Sequence, residues 1–219
     1  MFIIKLAPDG IKSEELTMTK IKICGLSRLE DIAAVNAARP DYIGFVFATS
    51  RRQVDMATAR VLKQALDPGI AAVGVFVNHP VAEIIALAEQ GIIDIIQLHG
   101  DEEEATVRLL QTQTGVPVIR ALRISNPVDI RASTADYRLF DTYDPSQYGG
   151  SGAAFNWDLL AGTSGDFFLA GGLNRSNIAA AINQVNPYCV DLSSGVETAG
   201  KKDRDKIIEI VEMIRKIRG

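Results

Sequence analysis

Two reactive side chains stand at the ends of apolar runs, where a folded chain can present them to a ligand. Cys24 ends a run that begins at Ile21, and Asp141 ends a run that begins at Tyr137. A thiol and a carboxyl on either side of a bound sugar can divide the roles of general base and general acid. A buried, small apolar residue is the alternative for Cys24, and a capping or ion-paired carboxylate is the alternative for Asp141.

Small, glycine-containing loops follow two later apolar runs. Gly171 and Gly172 follow the apolar run Phe167–Ala170, and Ser194 and Gly195 follow the run Cys189–Leu192. Glycine lets the backbone approach an anion closely, and N–H groups at a helix start favour negative charge. The pair of loops therefore predicts a phosphate site, although each glycine alone also suits a tight turn. Residues 149–152, after the sixth run, have the composition of a loop that closes over a ligand or of a simple connector.

Metal and serine-nucleophile chemistry find little support. The two histidines, His79 and His99, lack the spacing of metal ligands, and no G-x-S-x-G elbow occurs. His99 stands at the end of an apolar run and could line a site, whereas His79 precedes Pro80 as a loop or cap residue does. Cys189 begins its run, so we expect it to be a buried apolar residue. The sequence predicts neither a metal nor an organic cofactor.

Eight short, nearly continuous apolar runs are spaced along the chain, as expected for parallel strands covered on both faces. They are Ile21–Cys24, Tyr42–Phe47, Ala71–Val77, Ile95–Leu98, Pro117–Leu122, Tyr137–Asp141, Phe167–Ala170 and Cys189–Leu192. Amphipathic stretches between them, with apolar residues three and four apart, predict eight helices.

Capping residues mark the starts of several of these helices. Ser27, with Glu30 three residues later, predicts a capping box for the first. Asp55 is expected to open the second helix, and Asn174 with Ser176 and Asn177 the seventh. Eight strand–helix units in about 200 residues predict one α/β domain, a (β/α)8 TIM barrel over residues 20–219, with its active site at the C-terminal ends of the strands. An open doubly wound sheet would need a G-x-G-x-x-G turn after the first strand, which residues 24–27 do not supply.

Composition narrows the class of protein. The 219 residues carry a net charge of −4 without a block of like charges, which argues against nucleic acid as a partner. Apolar runs fall far short of the roughly 20 residues of a membrane helix. Residues 1–19 lack the features of a signal peptide and are interpreted as an N-terminal extension. Two cysteines do not make a disulfide framework, so a reducing cytoplasm is expected.

The ordered motifs from Lys20 to the C-terminus resemble those of phosphoribosylanthranilate isomerase, a tryptophan-pathway enzyme family. The matching segments are Lys22-Ile23-Cys24-Gly25-Leu26, Gly44-Phe45-Val46-Phe47, Gly74-Val75-Phe76-Val77-Asn78, Gln97-Leu98-His99-Gly100, Asp141-Thr142, Tyr148-Gly149-Gly150-Ser151-Gly152 with Phe155 and Trp157, Gly171-Gly172-Leu173-Asn174, Val190-Asp191-Leu192-Ser193-Ser194-Gly195-Val196-Glu197 and Gly200-Lys201-Lys202-Asp203. One motif falls on nearly every predicted strand, so the resemblance is specific.

The resemblance implies an Amadori rearrangement, which turns N-(5-phosphoribosyl)anthranilate into 1-(2-carboxyphenylamino)-1-deoxyribulose 5-phosphate. By this resemblance Asp141 is the general acid that protonates the ribose ring oxygen. Cys24, as a thiolate, is the general base that removes the proton from C2 of the resulting Schiff base. The substrate's own negative charges disfavour the thiolate, and nearby donors or a helix N-terminus would offset them.

The resemblance also implies which residues bind the substrate, a small phosphosugar. Arg52 would pair with the anthranilate carboxylate, with Arg51 as its rival. The remaining matches are Gln97, His99 and Asp191 for the substrate, and Gly171, Gly172, Ser194 and Gly195 for its phosphate. The family includes monomers and homodimers, and both stay open here.

Some residues depart from the family pattern. Ala153 stands where many members have Lys or Thr, and Asn156 replaces a common Asp before Trp157. A histidine-pathway isomerase is a rival, but it has an aspartate at the position of Cys24 and a second phosphate loop where this chain carries the acidic residues 101–104. A barrel that binds a phosphorylated ligand without catalysis is the alternative from another class.

Overall fold

The computed structural model describes residues 18–143 and 154–217. Its eight parallel strands pair each with the next and the last with the first, which closes a barrel. The strands are β1 (Lys20–Cys24), β2 (Tyr42–Val46), β3 (Ala71–Phe76), β4 (Ile95–Leu98), β5 (Val118–Ile124), β6 (Tyr137–Thr142), β7 (Phe167–Leu169) and β8 (Cys189–Leu192). Their bounds differ from the predicted runs by at most two residues, and the barrel prediction is confirmed. Residues 1–17 lie outside the described residues, so the boundary at residues 19 and 20 stays a prediction.

Six α-helices cover the outside of the barrel in the described part of the chain. They are α1 (Leu29–Ala38), α2 (Met56–Ala65), α3 (Val81–Glu89), α4 (Glu104–Thr114), α5 (Ile178–Val185) and α6 (Arg204–Ile217). Asp55 caps α2 as predicted, since its side chain accepts a hydrogen bond from the Thr58 N–H at 2.8 Å. The helix after β7 begins at Ile178, and its N-cap is Asn177, one of the three residues predicted to open it.

The expectation of a helix after every strand is wrong for the unit that follows β5, and the described part of the unit that follows β6 shows no α-helix. After β5 the chain forms only a 3₁₀ helix, Pro127–Asp129, and the described residues after β6 hold only another, Trp157–Leu160. The segment between β5 and β6 lacks an apolar stripe that a helix could bury, because its Val128 is 80% exposed.

The first helix is capped by a different residue from the one predicted. Its N-cap is Arg28, and the carboxylate that closes the cap belongs to Asp31 rather than to Glu30. Asp31 Oδ2 accepts hydrogen bonds from the backbone N–H groups of Ser27, at 3.0 Å, and of Arg28, at 3.1 Å. Since the carboxylate reaches back to both donors, the helix begins one residue later than Ser27 alone suggests.

Aromatic rings fill the barrel interior at the N-terminal ends of the strands. Tyr42, Tyr137 and Tyr188 pack around Phe168, and the hydroxyls of Tyr42 and Tyr188 lie 2.8 Å apart. Cys189 is fully buried beside them, as expected. The interior is thus closed at this end, so a cavity must open at the C-terminal ends of the strands.

A short antiparallel hairpin follows β8 and was not predicted. Its strands are β9 (Glu197–Thr198) and β10 (Lys201–Lys202). Lys202 is buried and donates hydrogen bonds to Ser193 and Glu197, so the hairpin is held against the C-terminal end of β8. Within residues 18–143 and 154–217, none of the helices has both the length and the apolar character that crossing a membrane requires.

Candidate active site

A cavity of about 720 Å³ opens at the C-terminal ends of the strands. This volume is in the usual range for a small-molecule site. Residues from β1, β2, β3, β4, β6 and β8 and from the loops after β2, β7 and β8 line it. Of the predicted site residues, those in its lining are Cys24, Arg51, Arg52, Gln97, His99, Asp141, Gly171, Gly172, Asp191 and Ser194. Barrel closure therefore brings residues 167 positions apart in the chain, Cys24 and Asp191, into one cavity.

Gly195, predicted to bind phosphate, is not part of this lining. A Cβ atom at Gly195 would lie 2.1 Å from the carbonyl oxygen of Leu173 and 3.0 Å from Cα of Asn174. Glycine is needed there because the loop after β8 passes directly against the loop after β7. The close packing explains the residue type, and a phosphate contact by its N–H stays a prediction.

Gly171 lines the cavity in a conformation that favours glycine. Its φ is +88°, and a Cβ atom there would lie 2.3 Å from Thr142 Oγ1 and 2.9 Å from the Thr142 backbone nitrogen. Gly172 also has a positive φ, of 61°, and its carbonyl accepts hydrogen bonds from the side chains of Asn174 and Asn177 at 3.0 Å each. These amides fix the turn between β7 and α5. The backbone at this turn is thus both fixed and free of side chains.

Cys24 is half-buried at the tip of β1. Its neighbour across the sheet is Gly44 of β2, where a Cβ atom would lie only 2.6 Å from the Cys24 sulfur. The glycine therefore makes room for the thiol. The Ser193 hydroxyl donates to the Cys24 carbonyl at 3.1 Å, which ties the tip of β1 to the end of β8.

Charged side chains on three elements surround the thiol. Burial raises the pKa of Cys24; Lys22 and Lys202 oppose this rise, while Asp191 adds to it, and the net pKa lies above its ordinary value. Lys22 is fully buried, and its Nζ lies 2.8 Å from Asp191 Oδ2. Burial lowers the pKa of Lys22, but its interactions with Asp191 and Cys24 raise it by more, so this amine stays protonated. A fixed positive charge thus lies beneath the thiol.

Asp141 ends β6 and contacts the protein through both oxygens. Oδ1 accepts a hydrogen bond from the Thr142 N–H at 2.8 Å, and Oδ2 lies 3.1 Å from His99 Nε2. His99 Nδ1 in turn lies 2.8 Å from Gln97 Nε2. The three side chains form a chain along the cavity wall. His79, in contrast, contacts Glu83 at 2.9 Å and is absent from the cavity lining, as expected of a loop residue.

The two arginines after β2 share one carboxylate, that of Glu197 in the hairpin. Arg52 binds it in a bidentate way, with Nε 2.7 Å from Oε1 and Nη2 3.1 Å from Oε2, and Arg51 Nη2 lies 2.6 Å from Oε2. The Arg52 side chain is 14% exposed and that of Arg51 is 55% exposed. Burial raises the pKa of Glu197, but the hydrogen bonds from Arg52 and Lys202 lower it by more. The net pKa is below its ordinary value, so the carboxylate is charged.

Three of these residues were not predicted as part of the site: Lys22, Glu197 and Lys202. The sequence did indicate a role for Lys22, because a lysine inside the apolar run Ile21–Cys24 needs a buried partner for its charge. Glu197 and Lys202 had none beyond their place in the resembling motifs. The loop of residues 149–152, predicted to close over a ligand, lies outside the described residues.

No cluster of His, Cys, Asp and Glu with the geometry of a metal site occurs in the described ranges 18–143 and 154–217. One carboxylate oxygen in the cavity wall, Asp191 Oδ1, is buried without a hydrogen-bond partner there. Its other oxygen binds Lys22. The carboxylate is therefore fixed in place by Lys22, and its second oxygen has no hydrogen-bond partner among the described residues.

Comparisons with known proteins agree on one family. A sequence profile described as N-(5'phosphoribosyl)anthranilate (PRA) isomerase matches residues 21–213. The chain is 52% identical over 200 residues to the N-(5'-phosphoribosyl)anthranilate isomerase of Endomicrobium trichonymphae, with 91% of this chain and all of that protein covered.

Solved structures show the same likeness. The phosphoribosyl anthranilate isomerase of Thermus thermophilus superposes with a TM-score of 0.81 at 32% identity, over 91% of this chain and 100% of that one. Another phosphoribosyl anthranilate isomerase, solved in complex with reduced 1-(o-carboxyphenylamino)-1-deoxyribulose 5-phosphate, superposes with a TM-score of 0.76 at 33% identity, over 89% of this chain and 97% of that one.

Proposed function

The chain belongs to the N-(5'-phosphoribosyl)anthranilate isomerase family, and we propose that it rearranges its substrate by acid–base chemistry between Asp141 and Cys24. The reaction is the aldose–ketose isomerisation of tryptophan biosynthesis that the family performs. One observation carries the assignment of roles: Asp141 and Cys24 line a single cavity beside the glycine turn that follows β7.

The first step opens the ribose ring. Asp141 gives a proton to the ring oxygen, the bond between that oxygen and C1 breaks, and a Schiff base forms between C1 and the anthranilate nitrogen. Asp141 is 4% exposed, so water competes little for this proton. The neighbouring contact with His99 holds the carboxyl in one orientation.

The second step moves a hydrogen from carbon. The Cys24 thiolate removes the proton from C2, and the electrons of the C–H bond form the enolamine, which tautomerises to the ketone. Lys22, buried and charged beneath Cys24, supports this step because a nearby cation stabilises a thiolate. Lys202 acts in the same direction.

Substrate binding is divided among three groups of residues. Arg52 binds the anthranilate carboxylate, oriented beforehand by Glu197. Gly171, Gly172, Ser194 and Gly195 hold the phosphate through backbone N–H groups at the ends of β7 and β8. Gln97 and His99 line the wall, and Asp191, which also lines the cavity, accepts a hydrogen bond from the substrate.

The cellular setting is proposed on narrower grounds. Both cysteines are free thiols, which suits a reducing cytoplasm. The protein acts as a monomer or a homodimer on a small molecule and needs no nucleic acid. Light scattering of the purified full chain distinguishes the two assemblies.

Complementation tests the function as a whole. A tryptophan-requiring strain that lacks only this isomerase step should grow without tryptophan when it expresses the full chain. Failure to grow, with folded protein present in the cell, would contradict the proposal.

A further inference from the structure

Gln97 and His99 stand two residues apart at the end of β4, so their side chains lie on the same face of the strand. The His99 N–H donates to the Phe76 carbonyl at 2.8 Å, which continues the β3–β4 pairing past the end of β4. Gln97 is 1% exposed and His99 is 8% exposed. Both therefore have fixed orientations, and the imidazole connects the Gln97 amide to the carboxyl of Asp141.

In their present direction, the hydrogen bonds leave no acceptor for a proton on Asp141. Gln97 Nε2 faces His99 Nδ1 and donates to it, so the imidazole hydrogen is on Nε2 and points to Asp141 Oδ2. Asp141 Oδ1 already accepts from the Thr142 N–H. In this arrangement both oxygens of Asp141 face hydrogen-bond donors, so a proton on either oxygen would have no acceptor among these groups.

A half-turn of the Gln97 amide reverses the direction of these hydrogen bonds. Gln97 Oε1 is buried and has no hydrogen-bond partner in the described part of the chain. Turned towards His99, it accepts a hydrogen bond from a hydrogen on Nδ1. The unprotonated Nε2 then accepts one from a protonated Asp141. In this arrangement the pair of His99 and Asp141 holds one more proton, in the bond between Nε2 and Oδ2.

We propose that Gln97 and His99 are positioning residues that keep the transferable proton on Asp141, through a hydrogen on His99 Nδ1 that is donated to Gln97 Oε1. The inference rests on the proposed acid role of Asp141. In the transfer step the O–H bond of Asp141 breaks and an O–H bond to the ring oxygen forms. Solvent then returns one proton to the pair. When the enolamine becomes the ketone, C1 gains a proton, the C2 hydroxyl releases one to solvent, and Cys24 releases the proton that it took from C2.

Other ionisable groups surround this pair, and a test has to leave them unchanged. They are Cys24 and Asp191 in the same cavity, Arg123 bound to Asp101 on the neighbouring strand and loop, Arg120 bound to Glu102, and His79 against Phe76. Gln97 is uncharged, so Gln97→Met removes the amide without altering any charge. Gln97→Glu replaces it with a group that only accepts hydrogen bonds from Nδ1–H.

Nitrogen NMR of the histidine side chains shows directly, in the wild-type protein, which ring nitrogen of His99 carries the hydrogen. The chain has only two histidines, and His79→Asn assigns the signals to His99 by elimination. We expect His99 Nδ1 to carry a hydrogen over the pH range in which the enzyme is active. An Nδ1 without a hydrogen throughout that range would overturn the inference, whatever the isomerase assay shows.

Kinetics gives an independent reading. We expect Gln97→Met to lower kcat by about tenfold with a smaller change in KM, and to move the limb of the kcat/KM pH profile that follows the Asp141 proton to lower pH. Gln97→Glu should move that limb to higher pH, because it favours the hydrogen on Nδ1. Gln64→Met, on the exposed face of α2, is the matched control and should leave the profile unchanged.

The two proposals fail in different ways. A wild-type protein that binds but does not isomerise the substrate overturns the proposed function. An active wild type whose pH profile is the same in Gln97→Met and Gln97→Glu overturns only the role of Gln97 and His99.

Discussion

Cys24 illustrates how a single residue is adjusted by opposing surroundings. Burial raises its pKa, two buried lysines lower it, and Asp191 raises it again. The balance leaves the pKa above the ordinary 9.0, so the thiol form dominates at neutral pH. Lys22 matters most among the opposing groups, because it is the nearest fixed positive charge and is itself held by Asp191.

The alkylation rate of Cys24 should reflect this balance. Only the thiolate reacts, so the rate with iodoacetamide should rise with pH and still be rising above pH 9. Lys22→Met removes a positive charge and leaves Asp191 unpaired; both effects raise the Cys24 pKa, and the rate at neutral pH should fall by at least about threefold.

Controls separate this effect from unfolding. Breaking a buried ion pair destabilises a fold by about 3–5 kcal/mol, so the thermal midpoint of Lys22→Met is measured alongside. Lys216→Met, on an exposed position of α6, should react like the wild type. A faster alkylation of Cys24 in folded Lys22→Met would refute the role of the lysine.

The two arginines after β2 should differ in their effect on substrate binding. Arg52 is mostly buried and held in a bidentate pair, whereas Arg51 is largely exposed. We expect Arg52→Ala to raise KM by about tenfold or more, the size of a lost charge-assisted hydrogen bond. Arg51→Ala should raise it by less than about threefold. The opposite ranking in steady-state kinetics would move the carboxylate contact to Arg51.

At the scale of elements, the turn between β7 and α5 depends on its glycine. Alanine at Gly171 would have a positive φ and would contact Thr142 too closely. We expect Gly171→Ala to raise the inhibition constant of inorganic phosphate, as a competitor of the substrate, by about tenfold. Gly162→Ala is a matched control, since Gly162 has a similar φ of +80° but open space around its Cβ position.

The control should lose about 1 kcal/mol of stability from the left-handed backbone and keep its phosphate affinity. If both variants bind phosphate like the wild type, the turn after β7 is not a phosphate site.

How far the sequence predicts each element depends on where its interactions come from. The eight strands are predicted because each is a continuous apolar run, which is the local sequence pattern of a strand buried on both faces. The missing helix after β5 was not predicted, since a short 3₁₀ turn at Pro127 leaves no clear pattern. The hairpin of β9 and β10 was not predicted either. Its reason to form is a set of contacts of Glu197 and Lys202 with distant residues such as Arg52.

The same limit applies to the site. Cys24, Asp141 and the glycine turns were predicted because each ends a strand that can be recognised locally. The Glu197 pair with Arg52 spans 145 positions and depends on barrel closure. Lys22 is intermediate: its place inside an apolar run indicates a buried partner, but only the β1–β8 register identifies that partner as Asp191.

At the scale of the whole molecule, closure of the barrel creates the site. Pairing of β1 with β8 brings the first and last strands together, and the tyrosines and Phe168 fill the interior at the opposite end. Cys24 and Asp141, 117 positions apart in the chain, then reach the same cavity. The proposed mechanism depends on these two residues acting on one bound molecule.

Turnover of N-(5'-phosphoribosyl)anthranilate, followed by loss of its anthranilate fluorescence, tests that dependence most directly. We predict that Asp141→Asn loses nearly all of the wild-type kcat and Cys24→Ser most of it, about a hundredfold or more for each. Asp166→Asn, an exposed position before β7, should retain full activity. Wild-type turnover by both Asp141→Asn and Cys24→Ser would contradict the account.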